Sequence, residues 1–174
     1  FYAHDDVAAG KQYSLQTNIN SLMTAFLKLI RPKDWAKNFF IFVPLFFAGR
    51  FFEQDNIVSL IGGFACFCLV ASAVYIINDY RDIEDDKVHP DKKNRPLASG
   101  QISKTAAVLT CCLFLLAGFT GAWFIRDKFM FVLGLYFLMN LAYSFGLKNI
   151  PVLDICIIAI GFVLRVKAGA VIAR

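Results

Sequence analysis

The stretch NDYRDIEDD, Asn78 to Asp86, places five acidic groups within eight residues. On a helix turning about 100° per residue, Asp79, Asp82 and Asp86 fall within roughly 60° of one another, and Asn78 widens that face by about 40°. Three carboxylates and an amide aimed into one space repel unless a cation stands among them. Hard oxygen donors of this kind suit Mg²⁺, which takes a few carboxylates and completes its shell with water and phosphate oxygens. Asp79, Asp82 and Asp86 are therefore the candidate metal ligands and catalytic residues, with Asn78 a candidate substrate contact. Glu84 and Asp85 are read as solvated. Directly downstream, HPDKKNRPLASG (His89 to Gly100) supplies Lys92, Lys93 and Arg95. Acids that hold a metal beside bases that hold phosphate make a diphosphate site, in which cations neutralise the departing charge. The competing reading is a cytoplasmic loop of mixed charge. His89 precedes Pro90 in a turn-like stretch and is read as structural; Trp35 and Tyr143 are read as aromatic anchors at a membrane interface.

The elements that must position these groups are greasy. The chain has 174 residues, 58% of them hydrophobic and 19 of them Phe, against roughly 45–50% apolar in soluble domains. Ile57 to Ile77, Thr105 to Ile125 and Phe129 to Leu147 are each long enough to cross a hydrocarbon core of about 30 Å without a charged side chain. Two further spans are less clean. Trp35 to Phe52 contains Lys37, Asn38 and Arg50, with a kink expected at Pro44. Ile150 to Ile172 carries Asp154, Arg165 and Lys167, which at such depth must face protein or a water-filled cavity. The expected fold is all-α and polytopic, with about five transmembrane helices. An N-terminus on the cytoplasmic side puts most Lys and Arg on the inner flanks, as the positive-inside rule requires, and the acidic stretch with them.

The five cysteines lie inside apolar spans without ligand spacing and are read as packing thiols. Residues 1–24 are expected to be a polar tail, or a sign that the chain is a piece of something longer, and residues 25–174 one transmembrane domain. The lipid bilayer is the expected environment, and no nucleic-acid partner is expected. A cation transporter component, with Asp154, Arg165 and Lys167 as a pathway, is the alternative class. Against it, the acids cluster at one membrane face rather than along a path.

Asn78, Asp79, Asp82 and Asp86 match the N-D-x-x-D-x-x-x-D pattern, and in this the chain resembles the UbiA superfamily of intramembrane prenyltransferases. LIRPKDWAKNFFIFVPLFFAG, HPDKKNRPLASG, YSFGLKNIPVLDI and GFVLRVKAGA are most similar to its phosphoribosyltransferase branch. The resemblance implies a nine-helix bundle around a cavity open to lipid, of which this chain would be the N-terminal part and inactive alone. It implies Mg²⁺ and a diphosphate at the aspartate motif of an inner-membrane enzyme whose site faces the cytoplasm. In the phosphoribosyl branch, which serves cell-envelope biosynthesis, the donor is 5-phosphoribosyl diphosphate and the nucleophile a polyprenyl phosphate. In the classical branch an aromatic acceptor attacks a prenyl diphosphate. Carried over by position, Lys93 and Arg95 would hold phosphate oxygens, and Arg31, Lys37 and Asn38 would contact the lipid or sugar phosphate. Tyr143 and Lys148 correspond to a Y-x-x-x-K feature, here one residue longer. Arg165 is expected near an internal phosphate.

Overall fold

Backbone N–H and C=O groups find no water inside a bilayer, and a helix satisfies them within one segment. The computed structural model describes residues 3–47, 54–147, 150 and 152–173, with the backbone path alone for 3–15, 17 and 54–56, and the described residues form helices, turns and no strand. The helices are α1 (Ala3–Ile30), α2 (Val43–Phe47), α3 (Gln54–Arg81), α4 (Ile83–Val88), α5 (Lys104–Ile125), α6 (Asp127–Ser144) and α7 (Leu153–Ile172), with 3-10 helices at Pro32–Phe42 and Lys92–Asn94.

Among the described residues three helices are long and apolar enough to cross a membrane: Ile57–Arg81 within α3, Lys104–Ile125 and Leu153–Ile172. The expected fourth span stops three residues early, because α6 ends at Ser144 and the chain turns at Phe145 and Gly146, where φ is +138° and only glycine is unstrained. The first expected span is not one α-helix: its described part is the 3-10 helix followed by five α-helical residues. Pro44 marks no kink in a long helix; it sits in the first turn of α2, where its missing N–H costs nothing. The polar stretch expected as a separate tail is continuous with α1, where Thr24 Oγ1 donates to the Asn20 carbonyl at 2.8 Å in helical register. Ser103 caps α5, its hydroxyl accepting from the Ala106 N–H at 3.2 Å.

The 3-10 helix repeats every three residues, and its burial follows that period. Asn38 and Ile41 are buried, with Ala36, Lys37, Phe39 and Phe40 exposed. After Val43 the step lengthens to four and Leu45 is the next buried residue. α3 is the central element, packing against the 3-10 helix, α1, α5, α6 and α7. Its Leu60, Phe67 and Val70 share a core with Ile41, Leu45, Phe129, Leu133, Tyr136, Leu164 and Ile172. Cys66, Cys68 and Cys111 are buried free thiols, as expected of packing residues, whereas Cys112 and Cys156 are exposed. Outward-facing Phe124, Phe131, Leu116 and Val163 present the apolar surface that acyl chains solvate.

Glycine permits the closest approach. A Cβ added to Gly169 of α7 would lie 1.8 Å from the Ile41 carbonyl oxygen, which is backbone and cannot step aside. Gly169→Ala must part α7 from the 3-10 helix, an overpacking cost of at least about 1–3 kcal/mol. We expect a lower yield of folded protein and a lower thermal midpoint in detergent. An unchanged midpoint would mean the two elements are not in contact there.

Candidate active site

The last turn of α3 ends at Arg81, and Asp82 leaves helical geometry with φ −90° and ψ 11° before α4 begins. This break changes the expected face of three carboxylates. Asp82 accepts from the Asn78 amide at 3.1 Å, while Asp79 and Asp86, each 2% exposed, turn inward together. One nitrogen joins them: Arg95 Nη1 donates to Asp79 Oδ1 at 3.0 Å and to Asp86 Oδ2 at 2.8 Å. Arg31 Nη2 donates to the same Asp79 Oδ1 at 2.6 Å. Hydrogen bonds with both partners charged are the strong ones, so the four side chains make a fixed array of two acids and two bases.

Local sequence explains how the bases arrive. Arg31 precedes Pro32, whose ring disfavours a right-handed helix at the residue before it. Arg31 takes φ 50° and ψ 61°, which ends α1 and swings its side chain under α3. There its guanidinium also lies 5.0 Å from the Tyr75 ring centroid. Trp35 is not a free interfacial anchor, because Nε1 donates to Ser72 Oγ at 3.0 Å and that hydroxyl donates to the Ile30 carbonyl at 2.7 Å, pinning the junction. Arg95 is carried by a loop anchored through Leu97 and Ile102, which bury with Leu29, Ala73, Ile76 and Ile83. In that loop the Asp91 N–H donates to His89 Nδ1 at 3.2 Å, the structural role expected of this histidine. Glu84 is exposed and accepts from Lys87 Nζ at 2.8 and 3.0 Å, a contact that lowers its carboxyl pKa. Lys93 is exposed, on the outside of the loop.

A cleft of about 310 Å³ opens on this array, lined by Lys28, Arg31, Asp79, Asp91, Asn94 and Arg95. Among the described residues no three His, Cys, Asp or Glu side chains gather as a ready metal cage. The donor set nevertheless fits Mg²⁺. Asp79 Oδ1 and Asp86 Oδ2 are hard oxygens that already share one cationic group between them, and an ion of this kind needs only one or two carboxylates when phosphate oxygens complete its shell.

The remaining expected residues form a second group. Arg165 of α7 is 6% exposed and donates from Nε to Asn38 Oδ1 at 2.9 Å, from Nη1 to the Gly161 carbonyl at 2.8 Å and from Nη2 to Tyr136 OH at 3.0 Å. Asn38 itself donates to Cys68 Sγ at 3.2 Å. It is 1% exposed, its amide engaged by Arg165 and Cys68. Tyr143 is likewise engaged, its hydroxyl donating to Asp154 Oδ1 at 2.8 Å and tying α6 to α7. Lys37 donates to Asp34 at 2.7 Å. Lys148 lies outside the described residues.

Residues 38–174 match the UbiA prenyltransferase family. The chain belongs to that family. It is 38% identical over 157 residues to the decaprenyl-phosphate phosphoribosyltransferase of Mycolicibacterium smegmatis, covering 88% of this chain and 49% of the relative. It is 36% identical to the protein of the same name from Corynebacterium glutamicum, covering 88% and 47%. A solved UbiA homolog from Archaeoglobus fulgidus, bound to GPP and Mg²⁺, superposes with a TM-score of 0.74 at 26% identity, covering 86% of this chain and 54% of that one. The chain spans about half the length of the curated relatives it matches.

This UbiA-family chain is thus a multi-pass, all-helical membrane protein whose acidic motif and basic loop meet where α3 ends. Sequence reading missed Lys28, Asp91 and Asn94 as cleft residues. They are polar side chains in polar surroundings, and no spacing marks them out.

Proposed function

We propose that the protein containing this chain transfers a 5-phosphoribosyl group from phosphoribosyl diphosphate to a polyprenyl phosphate. The reading rests on the array in which Arg31 and Arg95 converge on Asp79 and Asp86, together with the named relatives. A phosphate oxygen of the lipid attacks ribose C1, the bond from C1 to the diphosphate oxygen breaks, and pyrophosphate leaves. Mg²⁺, held by Asp79 and Asp86 with Asp82 and Asn78 beside them, would supply charge neutralisation for the departing pyrophosphate. Arg31 and Arg95 can exchange carboxylate for phosphate oxygens, because a guanidinium fork matches either. Lys28 and Asn94 border the same cleft and would orient the diphosphate.

The site would face the cytoplasm from the inner membrane, with the N-terminus on the same side. The concentration of Lys and Arg on the flanks between α1 and α5 supports that orientation. A second reading, prenyl transfer to an aromatic acceptor, is favoured by the GPP bound to the Archaeoglobus homolog. The test incubates the intact protein in detergent with polyprenyl phosphate, Mg²⁺ and radiolabelled phosphoribosyl diphosphate. Label in the organic-extractable lipid is the expected result, and none would move the assignment to the second reading.

A further inference from the structure

Arg165 presents a problem of charge. It stands twelve residues into a membrane-spanning helix, about 18 Å along the axis, and is 6% exposed. Among the described residues it makes no ion pair; its three partners are an amide, a backbone carbonyl and a phenol, all neutral. An ionised group at that depth is costly, and such groups pair or mark a path for a charged ligand. A guanidinium carries five N–H groups, so two remain after these bonds. Three aromatic faces, Phe67, Tyr136 and Phe162, lie 4.9–5.5 Å from its centre and fix its plane. The group is held rigidly, with no ion pair among the described residues to compensate its charge.

It lines a cleft of about 310 Å³ that shares no described residue with the cleft at Asp79. Lys37 brings a second cation to this cleft, paired with Asp34 at 2.7 Å, and Tyr75, Asn140 and Tyr143 bring polar groups, with Asp154 behind the Tyr143 hydroxyl and no carboxylate among the described lining residues. Ile157, Ile158 and Phe162 form an apolar wall. Arg165 without an ion pair, a Lys37 ammonium that can exchange the Asp34 carboxylate for a phosphate oxygen, neutral hydrogen-bonding groups and an apolar wall fit a small anion carried on a hydrocarbon. Tyr75 borders this cleft and also lies beneath Arg31 of the other one, so the two are neighbours across one side chain.

We propose that the Arg165–Lys37 cleft binds the phosphate monoester of the lipid acceptor, leaving the Asp79 cleft to the diphosphate. This rests on the phosphoryl-acceptor part of the function proposed above. It predicts selection by charge: Arg165 and Lys37 would favour a phosphorylated acceptor over a neutral one.

The experiment measures binding, not turnover, on the intact protein in detergent without donor. The probes are geranyl monophosphate, geraniol, ribose 5-phosphate and inorganic phosphate. Geranyl monophosphate is expected to bind at least tenfold more tightly than the other three. Lys37→Gln, at an exposed position, should weaken it at least fivefold, and Arg165→Gln by more. Arg95→Gln, in the other cleft, should change it less than twofold. Should Arg165→Gln fail to fold, Lys37→Gln and Arg165→Lys carry the test. Equal affinity for geraniol, or an unchanged affinity in Lys37→Gln and Arg165→Lys, overturns the proposal. Tighter binding of ribose 5-phosphate that Lys37→Gln abolishes would assign the cleft to the sugar phosphate and also overturn it. Failure of label transfer with these binding results intact would sink the function and leave the cleft. Transfer with unaffected binding would do the reverse.

Discussion

Asp79→Ala is expected to lower phosphoribosyl transfer by at least a thousandfold, about 4 kcal/mol of barrier. Asp79 is the acceptor shared by both arginines and is 2% exposed, so its removal deletes a hard oxygen donor and strands two guanidinium groups. Asp79→Asn separates chemistry from folding, since the amide keeps the shape and still accepts from Arg31 through its oxygen. We expect Asp79→Asn to fold and to be nearly as inactive as the alanine variant, measured as label in the lipid phase. Activity within tenfold of wild type would remove Asp79 from the catalytic site.

Arg95→Gln should show its largest effect in stability. Its guanidinium is what lies between the Asp79 and Asp86 carboxylates, and without it two buried acids face each other. Breaking a buried pair costs roughly 3–5 kcal/mol. Arg95 keeps 24% side-chain exposure, so water offsets part of this and about 2–3 kcal/mol is expected. In metal-free detergent the thermal midpoint should therefore fall. Millimolar Mg²⁺ should recover more of it in the variant than it adds to wild type, because the ion takes the place of the missing cation; a ligand at a hundred times its Kd adds about 2.7 kcal/mol. An equal rise in both proteins would show that metal and Arg95 do not compete for the same oxygens.

The sequence carried the long helices well, because an uncharged run of twenty residues has few ways to satisfy its backbone in lipid. It also carried the partnership of the acidic motif with Arg95, a base only nine residues past Asp86. What it hid was decided by single backbone angles and by distance along the chain. Nothing in NDYRDIEDD announces that Asp82 leaves the helix and divides its carboxylates. Arg31 reaches Asp79 across 48 residues, on a left-handed backbone that the following proline encourages without requiring. Asn38 braces Arg165 across 127 residues, a contact that no spacing in the sequence announces. The period of three between Pro32 and Phe42 was legible in principle, but a reading tuned to α-helical repeats passes over it.

That 3-10 helix also sets a length. At about 2.0 Å per residue its eleven residues reach about 22 Å, where an α-helix of the same count would reach about 16 Å. The difference, about 6 Å, is the extra reach that lets the end of α1 stretch to α3 while Ile41 stays wedged against Gly169. Rewinding these residues into α geometry would draw Arg31 back by more than the length of its hydrogen bond to Asp79. The segment is a taut tether, and the charge array beneath α3 is assembled only while it remains extended.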